Sequence, residues 1–168
     1  EGSGQLMAAF YSYMATGLWR DEREANVVDG GAHFYGIYET KDGKFISIGS
    51  IEPQFYALFL QLLGLQDDAR FADQMNVSNW PDLKAVVASL FRQKTQAEWC
   101  AIMENTDVCF APVLNLHDAP SHPHAKARGS FVEVEGIVQP APAPRYSLTP
   151  LASPRPPETL QTDTLVGS

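Results

Sequence analysis

Apolar residues recur at Leu6, Met7, Phe10, Met14 and Leu18, close to helical spacing, and predict a helix over residues 3–19. Gly17 and the charged run RDERE at 20–24 close it. The Met and aromatic stripe of this helix reads as core-facing. From Val27 the pattern changes. VVDGGAHFYGIYETKDGKFISIGSI reads as turn, strand, turn, strand, with Asp42-Gly43 as a hairpin signal between two β-rich runs. A two-stranded ribbon alone is marginal, so it needs a packing partner.

Helices supply that partner. In PQFYALFLQLL at 53–63, Pro53 suits the first helical position and Gly64 the C-terminal cap. Phe55, Tyr56, Leu58, Phe59, Leu62 and Leu63 leave little of this helix polar, which predicts extensive burial. After Pro81, the residues Leu83, Val86, Val87, Leu90 and Phe91 follow an i, i+3, i+4, i+7, i+8 stripe. Thr95 and Glu98 have capping-box spacing and open a third helix, with Trp99, Ile102 and Met103 on its apolar face. DVCFAPVLNL at 107–116 reads as a returning strand, with Pro112 at an edge or kink. Beyond residue 116 the chain is Pro-rich and poor in helical pattern, with one possible strand at 130–134. Such a segment is either a linker or an arm laid across another surface. The predicted fold class is therefore α/β: an α+β small domain with a β-hairpin sheet and packed helices, plus an extended C-terminal arm.

Composition narrows the function. With 168 residues, 45% of them hydrophobic, and three Trp, the chain can build one ordinary core. A net charge of −8 argues against a nucleic-acid binder, although a local basic pocket for an anionic small molecule can exist on an acidic protein. No apolar run approaches the roughly 20 residues that span a bilayer. Cys100 and Cys109 lack CxxC spacing, so neither a disulfide framework nor a zinc site is signalled, and a reducing compartment is expected. The chain opens EGSGQLMAAF, without an initiator Met or a signal-peptide pattern, and is expected to be a piece of a longer polypeptide.

Glu52 is the sharpest candidate for chemistry. The residue before Pro53 is pushed toward extended backbone, which makes Glu52 the helix N-cap. Glu is a poor cap because its longer side chain is badly placed to reach the N2 or N3 amides. Either its charge only offsets the helix dipole, or it points past the helix end into a cleft and orients a second group. The histidines are weaker candidates. His117, His122 and His124 lie in the Pro-rich junction without a complete metal-ligand set, and His33 beside Asp29 reads either as a turn or surface residue or as a general base. Gly30-Gly31 lacks the GxGxxG pattern and precedes a strand, so it is not a phosphate loop. Ser3, Ser12 and Ser50 have no nucleophile-elbow context.

NVVDGGAHFYGIYETKDGKFISIGSIEPQFYALFLQLLGL resembles the α-methylacyl-CoA racemases of the family III CoA-transferase (CaiB/BaiF) superfamily. The resemblance continues through QMNVSNWPDLKAVVASLFRQKTQAEWCAIMENTDVCFAPVL to HPHAKARGSFVE and APAPRYSLTP. It implies a large Rossmann-like domain built from both chain ends, a small α/β domain between them, and a homodimer of interlocked subunits. On that picture residues 1–32 are a helix and linker leaving the large domain. Residues 33–116 form the small domain, and residues 117–168 are the Pro-rich arm returning to the large domain.

The implied activity is epimerisation of 2-methyl-branched acyl-CoA thioesters, by α-proton removal to an enolate and reprotonation on the opposite face. The only CoA required is that of the substrate, so no separate cofactor and no metal is implied. The acid–base pair of the family, a His and an Asp, falls upstream of residue 1. The Glu of the IEPQF motif, which hydrogen-bonds that His, matches Glu52, while Tyr35 and Ile51 match positions near the acyl-binding surface. His33 stands where the family commonly has Pro. The chain alone is expected to be inactive. The alternatives are a family III CoA-transferase, using an upstream Asp as nucleophile, and a non-catalytic interaction module. The expected location is cytoplasmic in a bacterium, or peroxisomal or mitochondrial in a eukaryote.

Overall fold

A computed structural model describes residues 1–157. The chain divides into two compact units, Glu1–Val113 and a second from Leu114 onward.

The first unit is built on a three-stranded antiparallel sheet in the order β1 (Tyr35–Glu39), β2 (Phe45–Gly49), β3 (Phe110–Val113). The β1–β2 turn forms where Asp42-Gly43 predicts it. Gly43 takes a left-handed φ of 71°, and Thr40 donates its N–H to Lys44 O at 2.8 Å. Strand alternation turns Tyr38, Ile46 and Ile48 inward. The helices α3 (Pro53–Leu63), α4 (Trp80–Phe91) and α5 (Gln96–Met103) supply the other side of the core through Phe59, Val87, Phe91, Trp99 and Met103. α4 packs on β1 and α5 on β3.

The helix ends follow their sequence signals. Pro53 opens α3, and Gly64, at φ 71°, closes it in the left-handed region where a Cβ is disfavoured. At α5 the Thr95 hydroxyl accepts from Glu98 N at 3.3 Å, while the Glu98 carboxylate accepts from Thr95 N at 2.8 Å.

Two expectations fail in this unit. The single helix over 3–19 is two short ones, α1 (Gly2–Leu6) and α2 (Ala8–Ala15), joined at Met7. Neither buries a residue: Leu6 is 82% and Leu18 71% exposed, so the stripe is not core here. Its main contact is the edge-on pair Phe10–Trp19, with ring centroids 4.8 Å apart. The periodicity specifies a face that wants an apolar partner, and no layer of the described residues covers it. His33 is the second correction: it is fully buried rather than a surface residue.

The loop before β1 is a tight knot around Asp29. Its carboxylate accepts from the amides of Ala25, Asn26 and Gly31 and from the Asn26 side chain, at 2.7–3.2 Å. Burial raises the Asp29 pKa, but these hydrogen bonds outweigh it and hold the carboxyl below its usual range. Asp29 is thereby engaged in the turn. A Cβ on Gly31 would lie 2.7 Å from Glu24 O and 2.9 Å from Asn26 N, both backbone atoms. Gly31→Ala is therefore expected to destabilise this unit by about 1–3 kcal/mol, read as a lower urea midpoint with an unchanged slope.

In the second unit, α6 (Pro123–Arg128) precedes a hairpin of β4 (Phe131–Val134) and β5 (Ile137–Pro140). The sequence reading found the first strand and missed the helix and the second strand. Pro123 sits at the start of α6, where a missing N–H costs nothing, so a Pro-rich stretch still opens a helix here. Glu135 and Gly136, at φ 50° and 80°, form the two-residue turn that makes the hairpin.

Candidate functional site at the strand-to-helix corner

The segment 49–53 leaves the sheet and enters α3 through a backbone fastened on both sides. Ser50 continues the inward alternation of Ile46 and Ile48 and is completely buried. Its hydroxyl donates to Val108 O at 2.6 Å, and its N–H donates to Phe34 O at 3.0 Å. From the other side, Gln74 Nε2 donates to Ile51 O at 2.9 Å and Ser50 O at 3.3 Å. The Gln74 carbonyl in turn accepts from Trp80 Nε1 at 2.9 Å, which ties this brace to α4. Ser50→Ala leaves the buried Val108 carbonyl without that donor. An unfolding free energy lower by about 1–3 kcal/mol is expected in chemical denaturation.

Glu52 is held at the apex. Its backbone is extended, at φ −68° and ψ 143°, and its carbonyl accepts the first helical bond from Tyr56 N at 2.9 Å. Its side chain makes no capping hydrogen bond, is exposed, and forms no ion pair among the described residues. The backbone is thus fixed while the carboxylate is left available, as suits a group that acts on something beyond its own helix.

Tyr35 stands at the same end of the sheet on the outward face. Its register partner is Gly49, where an added Cβ would meet the Tyr35 ring at 3.5 Å. Cys109, with φ 56°, accepts Gly49 N–H on its carbonyl at 3.0 Å. Burial pushes its thiol pKa up, and the nearby charges of Glu52 and Asp107 push it further. Tyr35, Ile37, Gly49, Cys109 and Ala111 line a shallow hollow of about 390 Å³ on this face. Ile51, the third residue singled out by sequence, is not part of this lining; it is half-buried and packs on the core. Ser50, Gln74 and Cys109 escaped the sequence reading as parts of this site. The alternation ISIGS carried the signal for Ser50, whereas Gln74 lies 23 residues from the backbone it braces and carried none.

His33 belongs to the core. Its Nε2 lies 2.8 Å from the Tyr56 hydroxyl, and that hydroxyl donates to Phe71 O at 3.0 Å. With its one proton used there, Tyr56 accepts from His33, which fixes the Nε2–H tautomer. Nδ1 is buried without a partner, and the rings of Phe34, Tyr56 and Phe71 meet the imidazole edge-on. Sealed in this way, His33 presents no imidazole to a substrate. Among the described residues no group of three or more His, Cys, Asp or Glu is placed to hold a metal ion. No helix among them is long and apolar enough to cross a membrane.

The sequence model of CoA-transferase family III matches residues 3–164. The chain belongs to this family. It is 44% identical to the mouse and 43% identical to the human α-methylacyl-CoA racemase, each over 151 residues and 89% of this chain. It spans about two fifths of these relatives, 39% of each. Identity to the mouse succinyl-CoA:glutarate CoA-transferase is 27% over 135 residues, covering 75% of this chain and 31% of that protein. Among solved structures, a CaiB/BaiF family protein from Brucella suis shares the fold. Its TM-score is 0.66 at 21% identity, with 92% of this chain and 42% of that one covered. The family III assignment carries the α/β character with it, and the corner is a feature of a family III chain.

Proposed function

We propose that this chain is part of an α-methylacyl-CoA racemase, an isomerase that epimerises 2-methyl-branched acyl-CoA thioesters. The observation that carries the reading is Glu52: a carboxylate on a corner braced by Ser50 and Gln74, exposed and uncommitted to its own helix. The higher identity to racemases than to the CoA-transferase supports the same choice.

Inverting a carbon beside a thioester needs one group to remove the α-proton and another to return a proton from the opposite side, each tuned near the working pH. Glu52 acts in this scheme as a positioning residue. It accepts a hydrogen bond from a catalytic His outside this chain, fixing the ring orientation and favouring its protonated form. An Asp, also outside this chain, completes the pair. Tyr35 borders the path of the acyl group, and Ile51 supports the corner from the core side. CoA enters with the substrate, no further cofactor is required, and the working unit is a homodimer with interlocked subunits.

The test is to give the complete protein one epimer of a 2-methylacyl-CoA without an acceptor acid. Chiral separation is expected to show both epimers, with the thioester intact. Unchanged epimer together with CoA transfer to an added carboxylic acid contradicts the reading and points to a CoA-transferase.

A further inference from the structure

Buried in the first unit is one titratable side chain that the proton-transfer scheme leaves unused. His33 is completely enclosed, and its Nδ1 has no hydrogen-bond partner among the described residues. An orphaned polar atom is destabilising, and an apolar side chain in the same aromatic cage avoids that cost. Stability alone therefore favours a hydrocarbon here. What the imidazole adds is a directed bond. Its Nε2 meets the Tyr56 hydroxyl at 2.8 Å, and that hydroxyl donates onward to Phe71 O at 3.0 Å. His33 is held in turn at its backbone, where its carbonyl accepts from the Tyr38 hydroxyl at 2.6 Å.

These bonds converge on the corner. Tyr56 closes the first turn of α3, and its N–H donates to Glu52 O at 2.9 Å. Phe34, the residue after His33, accepts Ser50 N–H on its carbonyl at 3.0 Å. The His33–Phe34 segment thus grips the chain on both sides of Glu52, through Ser50 before it and Tyr56 after it. The Glu52 carboxylate has no anchor of its own among the described residues, so its direction is inherited from the backbone between these two fastenings. Elsewhere α3 is seated by Phe59 and Leu60, whose apolar contacts are non-directional. A hydrogen bond to a caged ring fixes both distance and direction. Such precision matters for proton transfer, where a misplacement of about 1 Å can cost about a hundredfold in rate.

We propose that His33 and Tyr56 are positioning residues for the proton transfer: their buried hydrogen bond locks the first turn of α3 and so aims the Glu52 carboxylate at the His it orients. The chemistry of this inference rests on the racemase reading, and its geometry on the bonds around Tyr56.

The experiment follows turnover of one epimer of a 2-methylacyl-CoA by the complete protein, with amide hydrogen exchange of Tyr56 measured in parallel. His33→Leu removes the donor to Tyr56, Tyr56→Phe removes the hydroxyl, and His33→Gln keeps a donor in place. The Leu and Phe variants are expected to lower kcat about fivefold to tenfold with KM little changed, and His33→Gln to keep about half of the wild-type kcat. The Tyr56 amide should exchange about tenfold faster in the two impaired variants. In a Glu52→Gln background the same two substitutions should lower kcat by less than about twofold, because the carboxylate they aim is gone. A purely structural role predicts the same loss in either background. Equal losses with and without Glu52, or wild-type kcat and Tyr56 exchange in the folded variants, overturn the proposal. Should His33→Leu not fold, Tyr56→Phe, which keeps the ring, decides by the same comparison. Failure of the proposal alone leaves wild-type racemisation, and its loss in Glu52→Gln, intact. Absence of racemisation by the wild-type protein overturns the racemase reading and the positioning role with it.

Discussion

Glu52→Gln in the complete enzyme is expected to lower kcat for racemisation by about two orders of magnitude, with little change in KM. The amide is nearly isosteric but cannot favour a charged imidazole, so the loss falls on the proton-transfer step. Folding should be unaffected, because the Glu52 carboxylate caps nothing and pairs with nothing among the described residues. The distinguishing readout is the pH profile. A carboxylate raises the pKa of a hydrogen-bonded His, so its removal should move the corresponding limb of kcat toward lower pH. Glu52→Asp keeps the charge with a shorter reach and should retain more of the wild-type profile than the amide. A Gln variant with wild-type turnover and a normal fold would reduce Glu52 to a group that soothes the helix dipole.

The second large effect is acid sensitivity centred on His33. Burial lowers its pKa to about 4, against an ordinary value of 6.5, because the cage of Phe34, Tyr56 and Phe71 shuts out water and leaves Nδ1 without an acceptor for a second proton. Above pH 6.5 neither the folded nor the unfolded chain holds the proton. Between 6.5 and about 4 only the unfolded chain binds it, so folding stability falls across that window and this contribution levels off below it. At about 1.36 kcal/mol per pKa unit, the loss amounts to about 3 kcal/mol. Urea midpoints measured along the window should show this slope for the wild-type chain and a flatter one for His33→Gln. The amide retains a donor for the Tyr56 hydroxyl but does not titrate. Parallel slopes in the two proteins would show that His33 is not the proton-binding group.

Much of the first unit could be read from local patterns. Asp42-Gly43, Pro53, Gly64 and the Thr95–Glu98 box each act within a few residues, and each produced the predicted turn or helix end. Misreadings arose where the deciding partner is distant or is not among the described residues. The stripe of Met7, Met14 and Leu18 has genuine helical spacing, yet spacing cannot say whether a partner layer exists within the same chain. His33 looked like a turn residue because it follows two glycines. Its burial depends on Tyr56 and Phe71, which are brought to it only by the packing of α3 and the loop beyond. Around the corner, the extended backbone at Glu52 was legible from Pro53. The freedom of its carboxylate was not, since that rests on Ser50 and Gln74 carrying the fixation in its place.

The central claim is that the corner serves proton transfer at the carbon beside a thioester. The direct measurement follows α-deuterium incorporation into a 2-methylacyl-CoA incubated in D₂O with the complete protein, no acceptor acid being present. Wild-type protein is expected to wash deuterium into the α-position, and Glu52→Gln to do so about two orders of magnitude more slowly. A wild-type sample that moves CoA onto an added acid, yet leaves the α-position fully protiated, would contradict the account.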